Sequence, residues 1–336
     1  MKILFLIVIF TTNCIGYLSH LGNEQLVQIW NRERIQDILD NPTESESLRS
    51  SLEHVQRIKE FGIQNLALSI DSGFEYYVPL SRKELGWNVS GSYPLEFKSY
   101  TWWFPIAGEV PYKGFFDYQL AIEEEEKLKR LGLDTRVRVT GGYSTLGWLS
   151  DPIFSSQLEW SRPDLSALII HEMAHATYYI PGDSVFNESY AEFVEKKGIE
   201  LYYSDKSNPG YKEWIEKKNY KNNSLKLIKN TAKKLKSLYE SDLPDSEKLE
   251  QKKITILEFK NQAILEKLIP EKFKTKFLSK DWNNEDFIGA VRYKSGGSYF
   301  EKKFLEAKGN FSEFHKLVRE YEKLSKEEKE KILDEE

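Results

Sequence analysis

Two histidines and a glutamate stand close together in the stretch HEMAH, where His171 and His175 lie four positions apart and Glu172 follows the first. Residues four apart share one face of an α-helix, so both imidazoles can bind one metal ion. Glu172 points about 100° away round the helix, beside the ion. Zinc lowers the pKa of its bound water to about 7, and a neighbouring carboxylate can accept the released proton. The pattern predicts a hydrolytic zinc site; the alternative is two histidines hydrogen-bonded within a packed helix.

A catalytic zinc ion usually has three protein ligands and one open position, so the two histidines require a third partner. The turn Ile180–Asp183 ends the helix that carries them, and Asp183 or Ser184 can cap a second helix. Glu188 and Glu192 lie one turn apart on that second helix. We predict that Glu188 is the third ligand and that Glu192 accepts a hydrogen bond from the distal ring nitrogen of a zinc-bound histidine. The alternative is that both glutamates face solvent.

The helix that carries the histidines, predicted at residues 165–179, opens with the apolar run LSALII, which is typical of a buried helix. Other helices must hold it in place. Apolar residues recur at helical spacing over residues 17–70 and 117–131. Amphipathic helices rich in lysine and glutamate occupy the chain beyond residue 205.

Strands are predicted between these helices. Residues 74–115 contain aromatic stretches broken by glycine and proline, which is typical of short strands and turns, and residues 134–139 alternate as a strand does. We therefore predict a mostly helical α+β protein, with a small mixed sheet from residues 74–140 packed beside the helix at residues 165–179.

The length of 336 residues permits either one large domain or a domain with a helical extension. We predict a core at residues 17–204 and a helical C-terminal region at residues 205–336 that completes the same domain. The formal net charge is −5, and no basic stripe stands out. A single cysteine excludes a zinc ribbon. We therefore expect no nucleic-acid partner.

The first 16 residues read as an export signal. Lys2 precedes an apolar run from Ile3 to Phe10, which is too short to span a membrane. Cys14 is the only cysteine of the chain and follows this run, where a bacterial lipoprotein carries its acylated cysteine. The flanking residues TTN depart from the usual small or aliphatic pattern. We predict lipidation at Cys14, with a plain signal peptide as the alternative.

HEMAH followed by NESYAEFVE resembles the gluzincin metallopeptidases, such as thermolysin and the aminopeptidase-N group. A closer resemblance is to a bacterial family of predicted aminopeptidases. It rests on YKGFF (Tyr112–Phe116), YSTLGWLSDP (Tyr143–Pro152), GDSVFNE (Gly182–Glu188) and the N-terminal cysteine, and it extends roughly from Cys14 to residue 320. The resemblance implies a zincin-like, gluzincin-type core in which one Zn²⁺ per chain is held by His171, His175 and Glu188, with Glu172 as the general base. It also implies aminopeptidase activity.

By analogy with gluzincins, the segment before the zinc helix is expected to pair its backbone with an extended substrate. The alternative is a core strand with turn glycines. The residues of this expected substrate strand are Tyr143, Ser144, Thr145, Leu146 and Gly147.

An oxyanion stabiliser is also needed, and a tyrosine or histidine downstream of the third ligand can serve. We choose Tyr293, with Arg292 and Tyr299 as rivals.

The sequence thus predicts a zinc-dependent peptidase that acts on peptides from their amino terminus and is tethered outside the cytoplasm. One alternative is a non-catalytic surface lipoprotein that keeps the fold as a binding module. Another is a metal hydrolase that acts on a non-peptide bond. The intact HEMAH stretch together with Glu188 favours an enzyme.

Overall fold

The computed structural model describes residues 30–104, 108–140, 151–292 and 297–334. The strands are β1 (Glu33–Arg34), β2 (Tyr76–Val78), β3 (Trp87–Ser92), β4 (Trp102–Phe104), β5 (Gly108–Val110), β6 (Tyr112–Phe115), β7 (Asp134–Val139) and β8 (Ile153–Phe154). The helices are α1 (Ile35–Asp40), α2 (Glu46–Leu66), α3 (Tyr118–Arg130), α4 (Ser155–Leu158), α5 (Arg162–Thr177), α6 (Ser184–Tyr202), α7 (Pro209–Tyr239), α8 (Asp245–Leu265), α9 (Lys274–Ser279), α10 (Asn284–Arg292), α11 (Gly297–Glu306), α12 (Phe311–Val318) and α13 (Lys326–Asp334). Two 3₁₀ turns are present at Glu271–Phe273 and Arg319–Lys323.

Helix accounts for 62% of the chain and the sheets are small, so the predicted mostly helical α+β class is confirmed. The predicted helix around residues 117–131 is α3, and the predicted strand at residues 134–139 is β7. Among the helices of the described ranges, none combines the length and the apolar character that crossing a bilayer requires.

The chain divides into two compact units, each assembled from separate segments. The motif unit contains the HEMAH stretch and comprises Asn31–Lys83, Tyr143–Ile215 and Tyr293–Glu336. Of the described residues, the sheet unit comprises Trp30 together with those that lie within Glu84–Gly142 and Glu216–Arg292. The boundary predicted between residues 204 and 205 falls between α6 and α7. Each of the two units contains segments from both sides of this boundary.

Helices α2, α5 and α6 form the core of the motif unit. Side chains such as Leu66, Ile170 and Tyr190 are completely buried between them. A mixed three-stranded sheet belongs to the same unit: β1 pairs antiparallel with β2, and β2 pairs parallel with β8. Ile153 of β8 is completely buried in this core, so the sheet and the helices share one apolar interior.

Two glycines allow these helices to approach closely. A methyl group on Gly62 of α2 would lie 2.8 Å from Met173 Cε. One on Gly198 of α6 would lie 2.7 Å from Leu66 Cδ1 and 3.1 Å from Ile170 Cδ1. Carbon atoms closer than 3.0 Å are essentially never found at a real Cβ, and 3.1 Å is tighter than most such contacts, so a side chain at either glycine requires its neighbours to shift.

Gly198→Leu is expected to lower the free energy of unfolding by about 1–3 kcal/mol, because the added side chain overpacks a filled interior. Denaturant unfolding would measure the change, and Lys196→Leu is the matched control because Lys196 is exposed on the same helix. Leucine at the exposed position should change stability by no more than about 0.5 kcal/mol. Equal stability of the two variants would contradict the close packing described for Gly198.

The sheet unit has its own core. Strand β3 lies between β6 and β7 in an antiparallel sheet, and β4 pairs with β5 in a separate hairpin. Val89 and Phe115 of the sheet pack with Ala121 and Leu128 of α3, and all four are buried. The strands of this segment therefore bury their apolar face locally.

The prediction of one mixed sheet formed by residues 74–140 is wrong, because the strands of this segment belong to more than one sheet. Only β2 from that segment joins the mixed sheet of the motif unit, and its partners β1 and β8 lie outside the segment. Strands β3 to β7 form the separate sheets of the sheet unit. The physical reason is that β3, β6 and β7 find a partner for their apolar face in the nearby α3. Residues 1–16, with Cys14, lie outside the described ranges, and lipidation stays a prediction.

Candidate metal centre

Helix α5 presents both histidines of HEMAH toward one point. It begins after Ser161, whose hydroxyl accepts a hydrogen bond from Asp164 N at 3.3 Å, and Pro163 occupies its first turn, where no backbone donor is needed. His171 and His175 lie in its last two turns and are partly buried. Their Nε2 atoms are 3.2 Å apart, so both rings can bind the same ion.

Glu188 of α6 completes a set of three ligand groups. Its Oε2 is 3.5 Å from His171 Nε2, and its Oε1 is 3.5 Å from His175 Nε2. Ligand atoms held at about 2.0–2.2 Å from a tetrahedral zinc ion lie roughly 3.2–3.6 Å from one another. The spacing and the two-nitrogen, one-carboxylate donor set therefore fit one zinc ion with an open fourth position. No other set of three such residues stands this close within the described ranges.

Two side chains fix the short connection between α5 and α6. Asp183, one of the two predicted caps, accepts a hydrogen bond from Phe186 N at 3.1 Å. The buried Asn187 holds Ile180 at both of its backbone groups: it accepts from Ile180 N and donates to Ile180 O, each at 2.8 Å. This double hydrogen bond ties the turn to the first part of α6 and sets the direction in which Glu188, the next residue, projects. No pattern in the sequence singles out Asn187.

The distal nitrogen of His171 is held by Glu195, a residue that was not among those predicted from the sequence. His171 Nδ1 donates to Glu195 Oε2 at 3.1 Å, and Glu195 is only 8% exposed. The prediction that Glu192 makes this contact is wrong. Helices α5 and α6 run in opposite directions through a short turn, so residues farther along α6 face residues earlier in α5. The available signal was that Glu195 follows Glu188 by seven residues and shares its helix face.

His175 differs from His171, because its Nδ1 atom is buried and has no hydrogen-bond partner within the described ranges. Glu192 is partly buried on α6 and does not supply that partner. In the part of the chain that the structure describes, a carboxylate therefore holds the distal ring nitrogen of His171 but not that of His175.

Glu195→Gln is expected to weaken zinc binding or to reduce activity by about 10–100-fold, because the glutamine no longer offers a charged acceptor to the ring of a ligand. Zinc affinity can be measured by competition with a chromogenic chelator. Glu192→Gln on the same helix is the control and should stay within about twofold of wild type. A larger loss in Glu192→Gln than in Glu195→Gln would contradict the assignment.

Neighbouring carboxylates raise the pKa of the His171 ring. Burial lowers the pKa of the ring, but hydrogen bonds with Glu188 and Glu195 outweigh burial and raise it to about 10. Hydrogen bonds with His171 and His175 hold the pKa of Glu188 far below its usual range. The carboxylates therefore stabilise a positive charge at this position. A metal ion that binds at Nε2 of His171 takes the place of the proton there.

Glu172 lies in a setting suited to a base. Burial raises the pKa of its carboxyl group, against the opposing positive charges of His171 and His175. The negative charges of Asp151 and Glu188 add to the increase. A carboxylate with a raised pKa accepts a proton more readily near neutral pH.

The remaining predicted residues fall in different places. Tyr143–Gly147 and Tyr293 lie outside the described residues, so both assignments stay predictions. Arg292 is the last residue of α10 in the sheet unit. Tyr299 of α11 belongs to the motif unit, and its buried hydroxyl has no hydrogen-bond partner within the described ranges. Its ring packs at 5.9 Å from that of Tyr321.

Comparison with protein families gave one decisive match. A family model described as "Putative aminopeptidase" matches residues 16–333, nearly the entire chain. The chain belongs to this family. Neither the curated proteins nor the solved structures contain a significant match. The matched region of the aminopeptidase family includes the whole candidate metal centre and begins two residues after Cys14.

Proposed function

We propose that the chain is a zinc-dependent aminopeptidase with a gluzincin-type site in a zincin-like core. The observation that carries the proposal is the spacing of His171, His175 and Glu188, which fits a tetrahedral zinc ion. Glu172 lies next to His171 on the same helix and interacts electrostatically with both histidines. Membership of the aminopeptidase family supports peptides as the substrate class.

Bound zinc would supply a Lewis acid and a water molecule with a pKa near 7. His171 and His175 each offer Nε2 to the ion, and Glu188 offers a carboxylate oxygen. Glu195 holds the Nδ1 proton of His171, so the lone pair of that ring stays on Nε2. Glu172 accepts the proton of the attacking water, holds it on its carboxylate and delivers it to the amine that leaves.

Negative charge near the centre supports cleavage at the amino terminus. The carboxyl group of Glu172 interacts electrostatically with those of Glu188 and Asp151. The free α-amino group of a peptide has a pKa of about 7.7–8.0 and is largely positive at neutral pH. A peptide with a free amino terminus is therefore attracted to this site more strongly than a peptide with a blocked one.

Purified protein is expected to contain one zinc ion per chain and to release amino acids from short peptides with a free amino terminus. Elemental analysis gives the zinc content, and chromatography follows release from matched free and N-acetylated peptides. A chelator should abolish release, and added zinc should restore it. Hydrolysis of the acetylated peptides at the same rate would exclude an aminopeptidase. Zinc binding without cleavage of any peptide would favour a non-peptide substrate, and absence of zinc would favour a binding module.

We also propose that the chain is exported and anchored to a membrane by lipid on Cys14. The position of Cys14 after a short apolar run supports this. One acyl chain gives only marginal membrane binding, so stable anchoring requires the several chains of a bacterial lipoprotein. Wild type should partition into detergent and Cys14→Ser should remain in the aqueous phase. Cleavage of the chain at another position, detected by mass spectrometry, would contradict the proposal.

A further inference from the structure

Tyr179 is an exposed aromatic side chain directly after the helix that carries the two histidines. It is 52% exposed, whereas its neighbour Tyr178 is 5% exposed. Single exposed aromatic residues are common on protein surfaces and need no explanation by themselves. The position of this one is informative, because its ring centre lies 6.3 Å from that of His175, with the planes at 73°.

The backbone is held on both sides of Tyr179. On one side, the hydroxyl of the buried Tyr178 donates to Glu322 Oε1 at 2.8 Å. On the other, Ile180 is held at its N–H and its C=O by the side chain of Asn187. Because both neighbours are anchored, the Cα atom of Tyr179 has a fixed position beside His175, and only its side chain is free to adjust.

No hydrogen bond of the fold uses the Tyr179 hydroxyl within the described ranges. More than half of the side chain faces solvent instead of the apolar interior. The stability of the core therefore does not explain a large aromatic ring at this position. A ring that is exposed, fixed in place and next to a metal ligand is suited to contact a molecule that binds at the metal.

We propose that Tyr179 forms one wall of the substrate site and packs against an apolar side chain next to the bond that is cleaved. This inference rests on the proposed function. A carbonyl oxygen that reaches the open position of the metal lies beside the ring of His175. The side chains that flank that carbonyl then lie within reach of the Tyr179 ring. Aromatic and aliphatic groups gain both buried area and ring contact there, so Tyr179 favours large apolar residues over alanine.

The test compares Tyr179→Ala and Tyr179→Phe with wild type on three dipeptides: phenylalanyl-alanine, alanyl-phenylalanine and alanyl-alanine. Tyr179→Ala should raise KM about tenfold for at least one of the two phenylalanine dipeptides. It should leave kcat, the zinc content and KM for alanyl-alanine within about twofold. Tyr179→Phe keeps the ring and should behave as wild type with all three dipeptides.

Trp160→Ala is the matched control. Trp160 is a 40% exposed aromatic residue in the same unit, just before the N-terminus of α5, whereas Tyr179 follows its C-terminus. The 16 residues of that helix separate the two positions by about 24 Å. Trp160→Ala should leave KM unchanged for all three dipeptides.

Binding without turnover separates this proposal from the proposed function. In protein that carries Glu172→Gln, calorimetry should show that adding Tyr179→Ala weakens binding of at least one of the two phenylalanine dipeptides about tenfold. If wild type cleaves no peptide, the proposed function fails, while the calorimetric comparison still decides the role of Tyr179. Unchanged Kd and KM in Tyr179→Ala would overturn the proposal that Tyr179 forms a wall of the substrate site. A loss of kcat in Tyr179→Phe equal to that in Tyr179→Ala also overturns it, because the hydroxyl and not the ring would then act.

Discussion

Glu172→Gln is expected to reduce peptide hydrolysis by about 10²–10⁴-fold while zinc stays at one ion per chain. This corresponds to about 3–5 kcal/mol of activation free energy. Glutamine has nearly the same shape but cannot accept the proton of the attacking water. The residue lies beside the ligand cluster and is not one of the three groups that fit the zinc tetrahedron. Steady-state kinetics and elemental analysis on the same preparation measure the two quantities together.

Glu159→Gln is the matched control for this prediction. Glu159 is exposed and precedes the first turn of α5, at the end of the helix opposite to the histidines. Its substitution should leave both turnover and zinc content unchanged. Loss of zinc in Glu172→Gln would show that this carboxylate binds the ion. Full turnover with full zinc would show that another group accepts the proton.

His171→Ala, His175→Ala and Glu188→Ala are each expected to lose zinc and to retain less than about 1% of wild-type activity. Each substitution removes one of three ligands, and two ligands do not hold a catalytic zinc ion. Without the ion, no group supplies the Lewis acid, whose effect is worth several kcal/mol. Zinc content after dialysis, measured by elemental analysis, is the primary readout.

Glu188 permits the sharpest form of this test, because Glu192 offers the same side chain one turn farther along the same helix. Glu192→Ala should retain zinc. The opposite pattern, with zinc retained in Glu188→Ala and lost in Glu192→Ala, would show that the third ligand is Glu192, one turn farther along α6. Thermal unfolding of each variant beside chelator-treated wild type separates loss of the ion from loss of the fold.

A non-catalytic binding module is the main alternative to an enzyme. Such a module has no need of a base, yet Glu172 is present and burial raises its pKa. It also has no need of a carboxylate on the distal nitrogen of a histidine, yet Glu195 is buried in that position. Both features suit a site that activates water. The effect of Glu172→Gln on turnover tests the enzyme hypothesis against the binding-module hypothesis.

Local features were predictable because they depend on residues close in the chain. The helical spacing in HEMAH places two histidines on one face of α5, and the alternation at residues 134–139 corresponds to β7. The turn at Ile180–Asp183 predicted a cap at Asp183 or Ser184, and Asp183 caps α6. Sheet membership was not predictable, because β1 and β8 are two residues long and pair with β2 from distant parts of the chain.

The sequence by itself determined the chemistry of the centre: two histidines four apart, a carboxylate beside the first, and a glutamate thirteen residues after the second, on a helix that begins at a predictable cap. The tertiary structure decided which groups support that chemistry. Glu195 rather than Glu192 reaches His171, because the angle and spacing at which α6 packs against α5 select one turn of the helix over another. Gly198 contributes to that spacing, and Asn187 fixes the turn. The position of Tyr179 beside His175 depends in the same way on contacts of its neighbours with residues far along the chain, which no local pattern contains.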